Sequence, residues 1–182
     1  PGLTLFNAFY RTMKGRAPGP HSARCQSFFF PLDAVEDWNL LYGPAGLHQH
    51  QSVVPVDAAR RIVPLLLSAA RESGQASFLT VLKRFGDIGS PGLLSFPRGG
   101  FTLTLDFPNR GERTLGLLSR LDAITMDAGG AVNPYKDSRM PADVFRQSFP
   151  RWAELERVRD PAFISDFWHR VGTVPAQLMA AE

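Results

Sequence analysis

The chain holds one cysteine, Cys25, in 182 residues. A lone thiol excludes an internal disulfide and a cysteine-based metal site, and it fits a reducing compartment, so a cytoplasmic location is expected. Lysine is also scarce: Lys14, Lys83 and Lys136 stand against 17 arginines. Where arginine is the ordinary surface cation, a retained lysine points to a need for a compact ammonium of adjustable pKa. No run approaches ~18 unbroken apolar residues, so no spanning helix is expected. The basic residues form no block and the net charge is only +3, which argues against a nucleic-acid footprint. There is no Gly-x-Ser-x-Gly turn and no Gly-x-x-x-x-Gly-Lys phosphate loop, and Gly86, Gly89, Gly92, Gly99 and Gly100 do not match a dinucleotide fingerprint. His48 and His50 have strand spacing but no evident third ligand, so no metal is expected. No basic-then-apolar leader opens the chain, which begins at Pro1 without Met and is therefore expected to be a piece of a longer protein.

What is present is ordinary globular material, 44% hydrophobic and 20% charged, enough for one domain with a core. The spacing of Leu3, Phe6, Phe9, Tyr10 and Met13 predicts a short amphipathic helix, followed by a Gly/Pro-rich basic linker. Ser27 to Asp33 reads as an aromatic strand, and Asp33 as the cap of a short helix through Trp38 and Leu41. Leu47 to Val56 predicts a strand. Asp57 then caps a helix marked by Ala58, Ile62, Leu65, Leu66 and Ala69, kinked at Pro64. Ser77 to Phe85 is a second strand and Phe101 to Phe107 a third, with a short strand at Leu93–Phe96 between them. Leu115, Leu118, Leu121 and Ile124 mark a second helix stopped by Gly129-Gly130, and Ala131 to Tyr135 is the fourth strand. Short helices follow over 141–149 and from Trp152 to Val158, and Ser165 to Val171 closes the fold.

The order β-α-β-β-α-β predicts an α+β fold, an antiparallel sheet with both helices on one face and a ferredoxin-like centre. The other face is then free to be polar. The first and third strands are central, which sets Gln49 and Gln51 (or the alternating His48 and His50) beside Thr102 and Thr104. Lys83 and Lys136 flank them from the two edges. Taken singly these residues are ambiguous. Lys83 on its apolar strand face is an edge lysine reaching water or an ammonium aimed at an anion. Gln49 and Gln51 are a solvated face or a grip on sugar hydroxyls. Lys136-Asp137-Ser138-Arg139 is an exposed turn or a working cluster. Convergence on one surface is what raises the set.

A longer ordered series adds to this. Phe29-Phe30-Pro31-Leu32-Asp33, Trp38-Asn39, Tyr42-Gly43, Gln49-His50-Gln51, Val54-Pro55, Ser73-Gly74, Ser77-Phe78-Leu79, Leu82-Lys83-Arg84-Phe85-Gly86, Leu94-Ser95-Phe96-Pro97, Leu105-Asp106-Phe107-Pro108, Gly129-Gly130 and Lys136-Asp137-Ser138-Arg139 occur in this order. Together they resemble the C-terminal half of the FAD-dependent decaprenylphosphoryl-β-D-ribose oxidase group, within the vanillyl-alcohol-oxidase-like flavoproteins. The resemblance covers most of residues 28–170. It implies an N-terminal linker (1–26), a cap or substrate domain (27–172) and a tail (173–182), with the FAD-binding domain outside this chain. It implies hydride transfer from a secondary sugar alcohol to flavin, with an external electron acceptor, FAD as cofactor, a small-molecule or lipid-linked sugar as substrate and peripheral membrane contact. Lys136 matches the lysine of the group's KDSR motif, close to the flavin, where it would stabilise negative charge on the flavin or the sugar oxygen. Tyr135 stands beside it at the cofactor. Lys83 matches a pocket lysine, and Gln49 and Gln51 a Gln-x-Gln pair. His50 stands where relatives often carry Tyr, and Thr102 and Thr104 where mycobacterial members carry Asn and Cys. These departures alter the pocket wall and leave the lipid-phosphoryl ribose substrate open. The competing reading is a non-catalytic ligand-binding or interaction module on the same scaffold.

Overall fold

The computed structural model describes residues 2–15, 19, 22–30, 36, 37, 40, 42–77, 79–136 and 139–172. The chain divides into two compact units, Pro1–Pro44 and Ala45–Glu182.

In the first unit, helix α1 (Gly2–Lys14) forms where the apolar spacing places it. Its Leu5, Phe6, Phe9, Tyr10 and Met13 are exposed, with the rings of Phe6 and Tyr10 stacked at 6.0 Å. The aromatic run after it is not a strand. Cys25–Phe29 is helix α2, closed by Phe28 N–H to the Arg24 carbonyl at 3.0 Å and Phe30 N–H to the Gln26 carbonyl at 2.9 Å. The sheet of this protein is built from other segments, so this run satisfies its backbone groups internally. The cap expected at Asp33 and the helix through Trp38 and Leu41 fall outside the described residues.

The second unit carries the β-α-β-β-α-β order: β1 (Leu47–Val54), α3 (Val56–Glu72), β2 (Thr80–Phe85), β3 (Gly100–Pro108), α4 (Glu112–Asp127) and β4 (Ala131–Val132). The strands run antiparallel in the order β2-β3-β1-β4, so β1 and β3 are central. This is the α+β, ferredoxin-like arrangement. Side chains alternate across each strand. Phe101, Leu103, Leu105 and Phe107 therefore turn to one face, where Leu103, Leu105 and Phe107 pack with Ile62, Leu66 and Ala69 of α3 and Leu117, Leu118 and Leu121 of α4. Helix α4 ends in a Schellman motif: Gly129 takes φ 68, its N–H reaches the Met126 carbonyl at 2.9 Å, and the Gly130 N–H reaches the Thr125 carbonyl at 2.9 Å.

Helix α3 runs from Val56 to Glu72 with Pro64 inside it, and its buried residues on both sides of the proline (Ala59 and Ile62, then Leu66 and Ala69) share one core face. Local expectations are corrected in three places. Asp57 is not the cap of α3; Pro55 holds that position, and Asp57 sits in the first turn with its carboxylate accepting the Ala58 N–H at 3.0 Å. Leu93–Phe96 forms no strand. Strand β4 ends at Val132 rather than Tyr135, because Pro134 has no N–H for a ladder and the chain turns into a single 3-10 turn, Pro134–Lys136.

Beyond the sheet, α5 (Ala142–Ser148) and α6 (Trp152–Val158) follow the expected helices, and the closing segment forms a further helix, α7 (Asp166–Val171). They form a second apolar cluster in which Phe145, Phe149, Trp168 and Val171 pack with Val53, Phe96 and Val132. Val53 lies on the face away from α3 and α4. The polar face is therefore covered at one end, rather than open along its whole length.

Candidate functional site

The open face of the sheet is built by register. On it Lys83 pairs with Thr102, and Thr102 with Val53. In the next row Val81 pairs with Thr104, and Thr104 with Gln51; beyond these, Asp106 pairs with Gln49. The predicted set of Gln49, Gln51, Lys83, Thr102 and Thr104 thus shares one face, and Lys83 lies on the β2 edge with an exposed side chain.

These side chains bond to one another. Gln49 Nε2 donates to Asp106 Oδ1 at 2.6 Å, and Gln51 Nε2 donates to Thr102 Oγ1 at 3.2 Å. Asn133 Nδ2 donates to Gln51 Oε1 at 2.7 Å. Both ends of the Gln51 amide are thereby fixed, which removes the choice of flip. Thr102 and Asp106 are buried, at 1% and 2% exposure, whereas Gln49, Gln51 and Thr104 are half-buried. Thr102 consequently acts on this face by orienting Gln51, while Gln49, Gln51 and Thr104 present polar atoms outward.

Lys136 lies on the opposite edge. Asn133 continues the β4 ladder, its N–H reaching the Gln51 carbonyl at 2.8 Å, and its side-chain oxygen accepts the Tyr135 N–H at 3.0 Å. That Asx-type bond sets the turn. Tyr135 and Lys136 are both exposed. Lys136 borders a small recess of about 10 Å³, room for a single water, whose other walls come from both faces of the sheet: His48, His50 and Leu118 on the helix side, and Gln49, Gln51 and Asn133.

His50 points the other way. It is buried at 3% exposure, on the helix side of the sheet, with Nε2 3.1 Å from Asp122 Oδ1. Asp122 Oδ2 accepts from Arg139 Nη2 at 2.8 Å. An ionised carboxylate only accepts, so Nε2 carries the proton in this bond. His50 therefore bears on the interior and not on the polar face. Asp122 and Asn133 were not singled out as candidates from sequence, and Arg139 only as a member of the Lys136-to-Arg139 cluster. Asp122 had a signal: a carboxylate on the apolar side of α4, next to Leu118 and Leu121, requires a partner.

Among the described residues, no group of three or more His, Cys, Asp or Glu is placed to hold a metal ion, and no helix is long and apolar enough to cross a membrane.

No protein-family model matches the chain. It is 38% identical over 152 residues, 79% of the chain, to the decaprenylphosphoryl-β-D-ribose oxidase of Mycolicibacterium smegmatis, of which it covers 32%. It is also 38% identical over 112 residues, 59% of the chain, to an uncharacterized protein in the mprA 5' region of Streptomyces coelicolor, of which it covers 30%. The chain spans about a third of the length of the curated relatives it matches. By this kinship the chain is a relative of part of an oxidase, the decaprenylphosphoryl-β-D-ribose enzyme of M. smegmatis.

Proposed function

We propose that this chain is the substrate-side cap of an FAD-linked oxidoreductase that oxidises a secondary alcohol of a sugar, with a polyprenyl-phosphoryl ribose as the substrate to test first. The observation that carries the reading is the polar sheet face. Gln49, Gln51 and Thr104 present amide and hydroxyl groups there, Lys83 and Lys136 stand at its two edges, and the chain is 38% identical to part of an oxidase. Amides and hydroxyls suit sugar hydroxyls, which both donate and accept.

The residues present fit a flavin on one side only. Lys136 is an exposed ammonium and Tyr135 an exposed ring; both would border the cofactor. The sequence offers no glycine-rich phosphate loop, so the nucleotide portion belongs to an FAD-binding domain outside this chain. FAD, when bound, supplies the hydride acceptor. The chain's own part is to hold the sugar through Gln49, Gln51 and Lys83 and to place the Lys136 charge where negative charge develops.

The test uses the protein that contains both this chain and its FAD-binding domain. Its visible spectrum should show flavin that bleaches anaerobically when the polyprenyl-phosphoryl ribose is added. Lys136→Met should slow that bleaching about 100-fold, the scale of losing one preorganised electrostatic contact, and leave the melting temperature in place because Lys136 is exposed. A bleaching rate unchanged by the substitution refutes the role of Lys136. A protein without flavin refutes the oxidoreductase reading and favours a binding module.

A further inference from the structure

Two adjacent residues of β1 leave the strand on opposite faces, and each reaches the segment that carries Lys136. On the polar face, the Gln51 side chain accepts from Asn133 Nδ2 at 2.7 Å while its main-chain carbonyl takes the Asn133 N–H at 2.8 Å. On the helix face, His50 holds Asp122 Oδ1 at 3.1 Å, and Asp122 Oδ2 holds Arg139 Nη2 at 2.8 Å. Asn133 precedes Lys136 and Arg139 follows it. Asn133, three residues before Lys136, and Arg139, three residues after it, are therefore each tied to the same central strand, once by a neutral amide bridge and once by a charged one.

The two pins differ in burial. The side chains of His50 and Asp122 are 2% and 4% exposed, and that of Arg139 is 15% exposed. Water competes poorly for the charged pin, so it constrains geometry more than a surface pair does. The Lys136 side chain takes no hydrogen bond or ion pair from the described residues. Its direction consequently depends on where its backbone is held.

We propose that Asp122 is a positioning residue for Lys136: oriented by His50 through one carboxylate oxygen, it fixes Arg139 through the other and so sets where the exposed ammonium projects. The functional half of this inference rests on the reading of Lys136 as the working cation; the geometric half does not. Asp122 acts through Arg139 and touches neither cofactor nor sugar. Asparagine at this position keeps the shape and loses the charge and one acceptor, which distinguishes a pin from a packing role.

The test has two arms. In the 182-residue chain, amide hydrogen exchange is measured at Tyr135 and Lys136, with the β1–β3 ladder amides as the internal reference. Asp122→Asn should quicken exchange at Tyr135 and Lys136 at least tenfold relative to the ladder. Arg139→Met should do the same, and the double variant should add nothing, since both remove one connection. Arg139→Met is the fallback where Asp122→Asn does not fold, because its side chain is the more exposed partner. In the protein with its FAD-binding domain, the same variants should lower the limiting rate of flavin reduction about tenfold with KM unchanged. Turn amides that stay as slow as in the parent, or that quicken only in step with the ladder, overturn the role of Asp122. Turn amides that quicken while flavin reduction keeps its rate overturn the functional half and count against the reading of Lys136.

Discussion

The two faces of one sheet are written by alternate residues of the same strands, yet they are held by different forces. On the helix face, Leu103, Leu105 and Phe107 are at most 3% exposed and pack against α3 and α4. That face is stabilised by apolar area removed from water, which is additive and indifferent to direction. On the polar face, Gln49, Gln51, Thr102, Asp106 and Asn133 are joined by directed hydrogen bonds. Each such bond contributes little net free energy but fixes an orientation. The difference separates stability from recognition within a single strand. Residues of β3 that sit next to one another in sequence, Thr104 and Leu105, fall on opposite sides of that division.

The division makes a quantitative forecast. Phe107 is fully buried at 0% exposure, so Phe107→Ala should cost about 3–5 kcal/mol in urea unfolding, the usual range for truncating a core aromatic. Thr104→Ala on the polar face should stay within about 0.5 kcal/mol, as for substitutions outside a core. A Thr104→Ala loss that matched that of Phe107→Ala would erase the division between the faces.

A smaller effect probes the cover at one end of the polar face. Glu156 of α6 accepts from Arg159 Nε at 2.8 Å and from Trp168 Nε1 of α7 at 2.5 Å, and Trp168 belongs to the cluster that includes Val53. The Arg159 hydrogen bond, with a further contribution from Trp168, holds the Glu156 carboxyl below its ordinary value of 4.5 against the opposing effect of desolvation. A carboxylate depressed in the folded state stabilises above the unfolded value, and that stabilisation is lost as pH falls through the folded value. Stability should therefore decline as pH drops below about 4.5, and Glu156→Gln should flatten that acid limb while lowering stability at neutral pH. An acid limb of unchanged slope in Glu156→Gln would show that the cover is held by its apolar contacts alone.

Much of this architecture was legible in the sequence because it rests on short-range periodicity. The alternation Phe101, Leu103, Leu105, Phe107 and the helical spacing of Leu118 and Leu121 place the core without knowledge of partners, and Gly129-Gly130 marks the helix stop. Strand order then set β1 beside Thr102 and Thr104 with Lys83 at an edge, and left Gln49 and Gln51 or His48 and His50 as the residues facing them, a choice the register makes for the glutamines. The aromatic run at Phe28–Phe30 read as a strand because propensity reports fitness for a pleated surface and not the presence of a neighbour. The charged pin was not legible for a different reason. His50 and Asp122 are 72 residues apart, and Arg139 was read only as the last letter of a tetrapeptide that was an exposed turn or a working cluster. Periodicity says which side of a helix Asp122 occupies; it does not say which distant cation arrives there.

The smallest forecast tests the helix face at its one polar flaw. Ser52 lies between His50 and Val54 on that side of β1, is 1% exposed, and its Oγ has no hydrogen-bond partner among the described residues. A buried hydroxyl without a partner carries a desolvation penalty of about 1–3 kcal/mol, and alanine removes it while keeping Cβ. Some of that gain is offset by the small void left behind. Ser52→Ala should therefore raise stability by up to about 1 kcal/mol, read as a shift in urea midpoint at constant slope. If the variant instead loses stability, the Ser52 hydroxyl makes a bond that matters and adds to the directed hold that the His50–Asp122–Arg139 bridge gives this face. The sign of this one substitution thus decides whether directed bonding on the helix face extends from the His50–Asp122–Arg139 bridge to Ser52.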